Sequence, residues 1–360
     1  MLKTNNLKIN KHGMALIMAL AVIIILVSLV VELNRNVIFS ATSSAQTRDA
    51  ITVSQMAQSG IQIGMAILIK DKLETNIDSI QEDWANPDKI SEYVSEFPFE
   101  EGNLNIKISD ELSKIQVNSL VKFPEGQNFN ESQKITWDRF ARTLISKSDQ
   151  FKDIEPTSII NSIKDWIDSG EGESITGLDG AESDYYKSLE YPYEAANQPF
   201  GHISELTLVK GMTNELLYGT DSIPGIIDYI TVYGATKQIY NGKNSFQFEG
   251  KININTADLP VIAAIVPSEN LDYAQTIYGY REEKKDSLFV NDLSSATWYK
   301  NAPGCNELQI DPNLVTTLSD FFKIESTAQL NQAQIKITAV VHREKDEKTG
   351  RLYCKILNCY

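Results

Sequence analysis

The residues best suited to chemistry lie between positions 165 and 186, DWIDSGEGESITGLDGAESDYY. Asp165, Asp168, Glu171, Glu173, Asp179, Glu182 and Asp184 fall there with no basic residue among them, and Gly170, Gly172, Gly177 and Gly180 let the chain curl. Carboxylates on a curling loop suit a hard cation such as calcium, which takes about 6–8 oxygen ligands. The EF-hand spacing is absent, because Gly170 and Gly172 stand where its second and third ligands belong. A structural calcium site and a solvated acidic loop are both open readings of this stretch. A second constellation is KININTAD at 251–258, followed by PVIAAIV and then by AQTIYGYR at 274–281, which reads as a helix-hairpin-helix unit. DNA-binding hairpins offer glycine N–H groups to phosphate, whereas Pro267-Ser268-Glu269-Asn270 has no glycine and adds an acid.

Composition narrows the function. Lys plus Arg number 33 and Asp plus Glu 48, a net charge of −15, which opposes nucleic-acid binding through phosphate neutralisation. The hairpin unit is therefore expected to be a packing module. Three cysteines and three histidines cannot build a four-cysteine zinc site or a His-rich metal centre. No nucleophile elbow, zincin, P-loop or dinucleotide-binding motif occurs, so no enzyme is expected. Trp84, Trp137, Trp166 and Trp298 are expected in the core, and one disulfide among Cys305, Cys354 and Cys359 is open.

The elements that must position these residues start at the N-terminus. Residues 14–31, MALIMALAVIIILVSLVV, carry no charge over 18 positions and span roughly 27 Å as a helix, about the hydrocarbon thickness of a bilayer. Lys3, Lys8 and Lys11 precede them without an acid, which places the N-terminus in the cytoplasm and the remainder across the membrane. A cleaved secretory signal would need small residues close behind the apolar run, but Ser40 to Ala45 lies past Glu32 and Arg35. A plain anchor fits the length. A prepilin-type leader fits better, because Lys11-His12-Gly13 precedes Met14 and the helix continues as an amphipathic segment. Ile51, Ser54, Ala57, Ile61, Gly64 and Leu68 recur there at spacings of three and four, and no proline interrupts.

Residues 76–102 read as a loop. Alternation in NLNIKI near 104, in 335–341 and in 352–356 predicts strands, with a hairpin turn at HREKDEKTG and weaker strand signals at 228–254. Helices are expected over 132–148, 156–168, 203–219, 256–266, 271–285 and 311–320, with Thr256 capping the fourth. The echo of Ile203-Ser204-Glu205-Leu206 in Val290-Asn291-Asp292-Leu293 suggests two similar helical units.

Taken together these segments resemble the protein K family of type II secretion minor pseudopilins. The resemblance rests on KHG before MALIMALAV, on ISDELSKIQVNSL at 108–120, and on DWID, GLDGAESDYY, EYPYEAANQPFGHISELTLVKGMT and KININTA in that order. It implies an α+β fold: a pilin-like long N-terminal helix and a small antiparallel sheet, with a large helical insertion of SAM-like, helix-hairpin-helix character. The implied organisation is a leader at 1–13, a membrane segment at 14–31, an amphipathic helix at 32–75, and the first part of the α/β domain at 76–118. An insertion at 119–320 follows, with units at about 119–225 and 251–320, and then terminal strands at 321–360.

The resemblance also implies cleavage by a prepilin peptidase between Gly13 and Met14, followed by N-methylation. Most pseudopilins carry Glu at the fifth mature position; here Met18 stands there, as the K family typically lacks that acid. It implies a single-pass protein of the bacterial inner membrane with a periplasmic domain, sitting at the pseudopilus tip with minor pseudopilins I, J and H and contacting the inner-membrane platform. It associates the insertion with calcium, making Asp168, Glu173, Asp179, Glu182 and Asp184 the candidate ligands. Ser169-Gly170 departs from the consecutive acids the family often shows after DWID, and Ser113 from its turn glycine. A type IV minor pilin and a membrane-anchored DNA receptor are the alternative readings.

Overall fold

The computed structural model describes residues 11–97, 99, 101–146, 151, 154–169 and 175–360. Helix α1 runs unbroken over Lys11–Glu74, 64 residues. Residues 13–48 are exposed around the whole circumference, with a mean hydropathy of 3.2 in the most apolar window. Burial begins at Asp49, and Val53, Met56, Ala57, Ile61, Met65 and Leu68 form the inward stripe. Ile51, expected on that stripe, is 56% exposed. The stripe is phased by Gly64, which is expected on it, together with Gly60. A Cβ at Gly60 would stand 2.1 Å from Ser326 Oγ, and one at Gly64 would stand 2.8 Å from Ile324 Cγ2. Two glycines one turn apart let the helix lie almost backbone to backbone on a strand.

After α1 the expected loop contains helix α2, Pro87–Ser95. Asn86 caps it, its Oδ1 accepting from the N–H groups of Asp88 (2.9 Å) and Lys89 (3.4 Å), and Pro87 takes the first turn, where no N–H is needed. Strand β1 is Asn103–Asp110 and β2 is Ile115–Gln116. Helices α3 (Glu131–Ile145), α4 (Pro156–Ile167), α5 (Ser183–Lys187) and α6 (Asn214–Tyr218) follow. Short strands β3 (Gly219–Thr220), β4 (Ile223–Pro224) and β5 (Ile230–Thr231) lead to a hairpin, β6 (Ala235–Tyr240) and β7 (Lys243–Phe248), and to β8 (Ile252–Asn253). Then come α7 (Leu259–Ile265), α8 (Asp272–Glu282), β9 (Lys284–Lys285), β10 (Leu288–Phe289) and β11 (Val315–Thr316). The chain closes with β12 (Phe321–Leu330), β13 (Ala333–Lys345) and β14 (Leu352–Cys359).

The main sheet is antiparallel with order β1-β12-β13-β14. Its residues alternate: Ile106, Ile108, Phe322, Ile324, Ala339 and Val341 face α1 and pack with Leu68 and Trp84, whose ring stands edge-on to Phe322 at 5.2 Å. β2 pairs with β5 in the insertion and takes no place in this sheet. The insertion has its own larger core, which includes Trp137, Phe140, Ile163, Trp166, Ile262, Ile277 and Trp298.

Two expected helices differ. Residues 203–219 divide into a 3-10 helix, Ile203–Leu208, and α6. Gly211 at φ +83 turns the chain, and Thr213 starts a new helix by accepting from Leu216 N–H at 3.1 Å. Residues 311–320 are extended, because Asp311 Oδ1 holds a turn with Asn313 N–H (2.9 Å) and Val315–Thr316 then pairs with β8. Of the two echoed tetrapeptides, only the one at Ile203 opens a helix. The three cysteines are free. Cys354 lies opposite Arg343 and Cys359 opposite Ala339, four positions along β13, or about 13 Å, beyond the ~7 Å Cα reach of a disulfide.

The insertion leaves and re-enters the sheet at neighbouring strands, where Asp110 pairs with Phe322. Asp110 is buried, and its carboxylate accepts from Leu112 N–H (2.7 Å), Asn253 Nδ2 (2.8 Å) and Thr256 Oγ1 (2.6 Å). Thr256 is thus drawn into the junction, and Asp258 takes the N-cap position of α7. Burial pushes the Asp110 carboxyl from 3.8 up to about 6, against the pull of hydrogen bonds from Ser319, Thr256 and Asn253.

Two predictions follow from this packing. Gly64→Leu forces α1 off β12 and costs about 1–3 kcal/mol, read as a lower unfolding midpoint of the detergent-solubilised chain; an unchanged midpoint would contradict the close approach. For Asp110 the folded state keeps a proton that the unfolded state releases between pH 3.8 and about 6, so its contribution to stability falls as pH rises through that window. Asp110→Asn, which mimics the protonated acid, is expected to gain stability relative to the parent as pH is raised from 4 to about 7 in thermal melts.

Candidate functional site

Helix α4 is buried along nearly its whole length, and Pro156 starts it. Trp166 anchors its C-terminal turn, with its ring edge-on to Tyr186 (5.2 Å) and stacked on Phe200 (6.3 Å). That anchor fixes Asp165 and Asp168, one turn apart at the helix end. Asp165 is fully buried and accepts from the N–H groups of Thr176 (3.2 Å) and Ala181 (2.8 Å), which curls residues 175–181 over the helix end. A Cβ at Gly180 would stand 2.1 Å from Asp165 Oδ2, so only glycine fits there. Lys210 Nζ ties the same loop by donating to the carbonyls of Asp179 and Gly180, each at 3.2 Å.

The ligand expectations divide. Asp168 and Glu182 converge: one carboxylate oxygen from each, with one from Asp165, lie within 4.8 Å of one another. Asp179 and Asp184 are exposed and lie outside this trio. Asp179 contributes backbone to the loop, and Asp184 sits in the first turn of α5. Glu173 lies outside the described residues. Asp165 is the member absent from the expected set; its place three residues before Asp168 on one helix face was the available signal. In donor type and spacing the trio fits a hard divalent cation. The Lys164 ammonium pairs with Asp168 and lies 3.9 Å from Asp165, so a metal ion would compete with it for the same oxygens.

A second acidic trio, Asp71, Asp78 and Glu82, is equally close but already holds the protein's own cations. Arg343, fully buried, donates Nη1 to Asp71 (3.2 Å) and Nη2 to Asp78 (2.5 Å), and Lys72 Nζ lies 3.9 Å from Asp78. Burial and then the neighbouring Glu82 and Asp78 raise Asp71 to about 7, against Arg343. This cluster is an anchor between helix and sheet. Gly13 and Met14 lie in the first turns of α1, exposed to solvent, and nothing stands within 4 Å of a Cβ placed on Gly13.

Residues 113–219 match the family model described as type II secretion system protein K. The type II secretion system protein K of Aeromonas hydrophila is 23% identical over 343 residues, 92% of this chain and 94% of that one. The protein of the same name from Pseudomonas aeruginosa is 24% identical over 300 residues, 80% of this chain and 79% of that one. Among solved structures, a chain in the GspK–GspI–GspJ complex of the enterotoxigenic Escherichia coli type 2 secretion system matches with a TM-score of 0.57 at 18% identity. The match covers 89% of this chain and 98% of that one and shows a shared fold. Residues 113–219 thus match the type II secretion system protein K family model, and the chain is similar to protein K over nearly its whole length.

Proposed function

We propose that this chain is a minor pseudopilin at the tip of the type II secretion pseudopilus, initiating or capping assembly for protein export across the outer membrane. The observation that carries this reading is helix α1. Residues 14–31 are uncharged, and residues 13–48 are exposed on every side with no packing partner among the described residues, while the helix from Asp49 onward is fused to the sheet. A helix hydrophobic all round needs lipid or other helices as its environment. Residues 14–31 suit a single inner-membrane span with Lys3, Lys8 and Lys11 on the cytoplasmic side and the folded head in the periplasm. The similar chain in complex with GspI and GspJ supports pseudopilins I and J as partners, and the proposal adds pseudopilin H and the secretion platform to them. Met18 fits a subunit with no neighbour above it, since a carboxylate without its ammonium partner is costly in the membrane. The role is assembly rather than catalysis. The test is the mature N-terminal mass after co-expression with a prepilin peptidase. A chain starting at Met14, with or without one methyl group, is expected; a start at Met1 or near Ala45 would overturn the reading.

Calcium at the α4 end is part of the same proposal. Asp165, Asp168 and Glu182 would hold it, and the ion would brace the acidic loop against α4 as a structural staple. Ions that bind only the folded state raise its stability by mass action. Calcium is expected to raise the melting temperature and protease resistance of the full chain, chelation to reverse this, and Glu182→Gln to abolish the calcium response. An equal response in the variant would remove Glu182 from the site.

A further inference from the structure

The face of the main sheet turned away from α1 is not fully covered. The insertion leans over it through Tyr233, whose hydroxyl accepts from Asn358 Nδ2 at 3.2 Å, and through Thr231, which donates to Glu111 at 2.6 Å. Between them lies a cleft of about 580 Å³. Its floor carries Lys107 on β1 and Lys323 on β12. In the β1–β12 register Ser109 faces Lys323 and Lys107 faces Glu325, so the two lysines are diagonal neighbours on one face. Lys114 joins them from the turn that follows β1.

Charge is distributed unevenly here. Glu111 is engaged by Lys114 (3.1 Å) and by Thr231, and Glu325 is engaged by Lys336 (2.5 Å). Asp110 is committed to Leu112, Asn253 and Thr256. Asp228 and Asp258 are exposed at the mouth. Among the described residues the side chains of Lys107 and Lys323 have no ion pair or hydrogen bond; Lys107 is exposed, and Lys323 is half-buried in a chain whose net charge is −15. Burial, and then the neighbouring Lys114, lower the Lys323 ammonium below its ordinary value. Glu111 and Glu325 act on Lys323 only from beyond ion-pair distance, and a half-buried ammonium with no carboxylate in direct contact is the kind of group that ligands complete.

We propose that this cleft binds a carboxylate on Lys323 and Lys107, with the ligand's carbon skeleton against Ile203, Ile227, Ile230 and Val340. Two point-charge donors without an arginine fork or a nest of backbone N–H groups suit a carboxylate better than a phosphate. Asp228 and Asp258 at the mouth disfavour a dianion. The carboxylate belongs either to a free small acid or to an acidic side chain of a protein in transit or in the assembly. Such a site is separate from the apolar helix that serves assembly.

The experiment uses the full chain in neutral detergent. Acetylation of lysines by a water-soluble ester is followed by peptide mapping, alone and with isovalerate or a blocked Val-Glu-Leu tripeptide amide. Labelling of Lys323 is expected to fall about fivefold or more with at least one probe, while Lys348 in the exposed β13–β14 turn is unaffected. Calorimetric affinity for that probe is expected to weaken about tenfold in Lys323→Met and to stay unchanged in Lys348→Met. Protection by isovalerate alone identifies a free acid as the source; tighter protection by the tripeptide identifies an acidic side chain. Unchanged Lys323 labelling with both probes at about 10 mM (about a hundredfold above a ~0.1 mM Kd) overturns the proposal. This readout uses the unmodified chain, so it decides the matter even if the variant misfolds.

Discussion

One buried guanidinium holds the head of this protein together. Arg343 on β13 donates to the carbonyls of Leu68 near the end of α1 (2.9 Å) and of Ser319 before β12 (2.7 Å), and to the carboxylates of Asp71 and Asp78. Its plane lies over the Phe322 ring at 4.8 Å. A charge taken out of water at such a depth is tolerable only beside opposite charge, and removing one partner of such a pair typically costs about 3–5 kcal/mol. The direction in which α1 leaves the sheet, the course of residues 75–82 and the start of β12 all follow from satisfying this side chain. Asp78 extends the constraint: its second oxygen accepts from Ser319 N–H (2.9 Å), and its carbonyl accepts from Asn253 of the insertion (2.9 Å).

The insertion can be large because its ends are held side by side. It departs after Asp110 and returns before Phe321, on adjacent strands, so the sheet closes the loop and the closure entropy grows only slowly with loop length. Asn253 joins Asp110 and Asp78, and β8 and β11 add a parallel pair at the same place. Residues 175–181 are held over the end of α4 by Asp165, whose carboxylate accepts from the N–H groups of Thr176 and Ala181. A cation bound to the trio at that helix end would add stiffness to this segment.

The two halves of α1 divide the labour. Glycines at 60 and 64 fuse the lower half to β12, while residues 13–48 pack against nothing among the described residues. A subunit built this way gains its remaining burial only from lipid and neighbouring helices, which is how an assembly role arises from an unfinished surface.

Residues whose meaning is local were legible in the sequence. The uncharged 14–31 run, the absence of proline through α1, the alternation at 335–341 and 352–356 and the polar turn between them each specify their element by period and composition. Asn86-Pro87 was equally local and was missed, because its cap signal sits within a polar stretch. The resemblance carried the fold, and it pointed to the stretch in which three carboxylates converge. Which acids converge was decided only by tertiary structure: Asp165 and Asp168 share a helix end and Glu182 is folded back to them, while Asp179 and Asp184 turn outward. The extended course of 311–320, the depth of Arg343 and Asp110, and the convergence of Lys107 with Lys323 were settled the same way. Arg343 meets its partners across 265 and 272 positions. Contacts at such separations leave no periodic trace in a chain, because nothing in the local sequence registers which distant group will satisfy a buried charge.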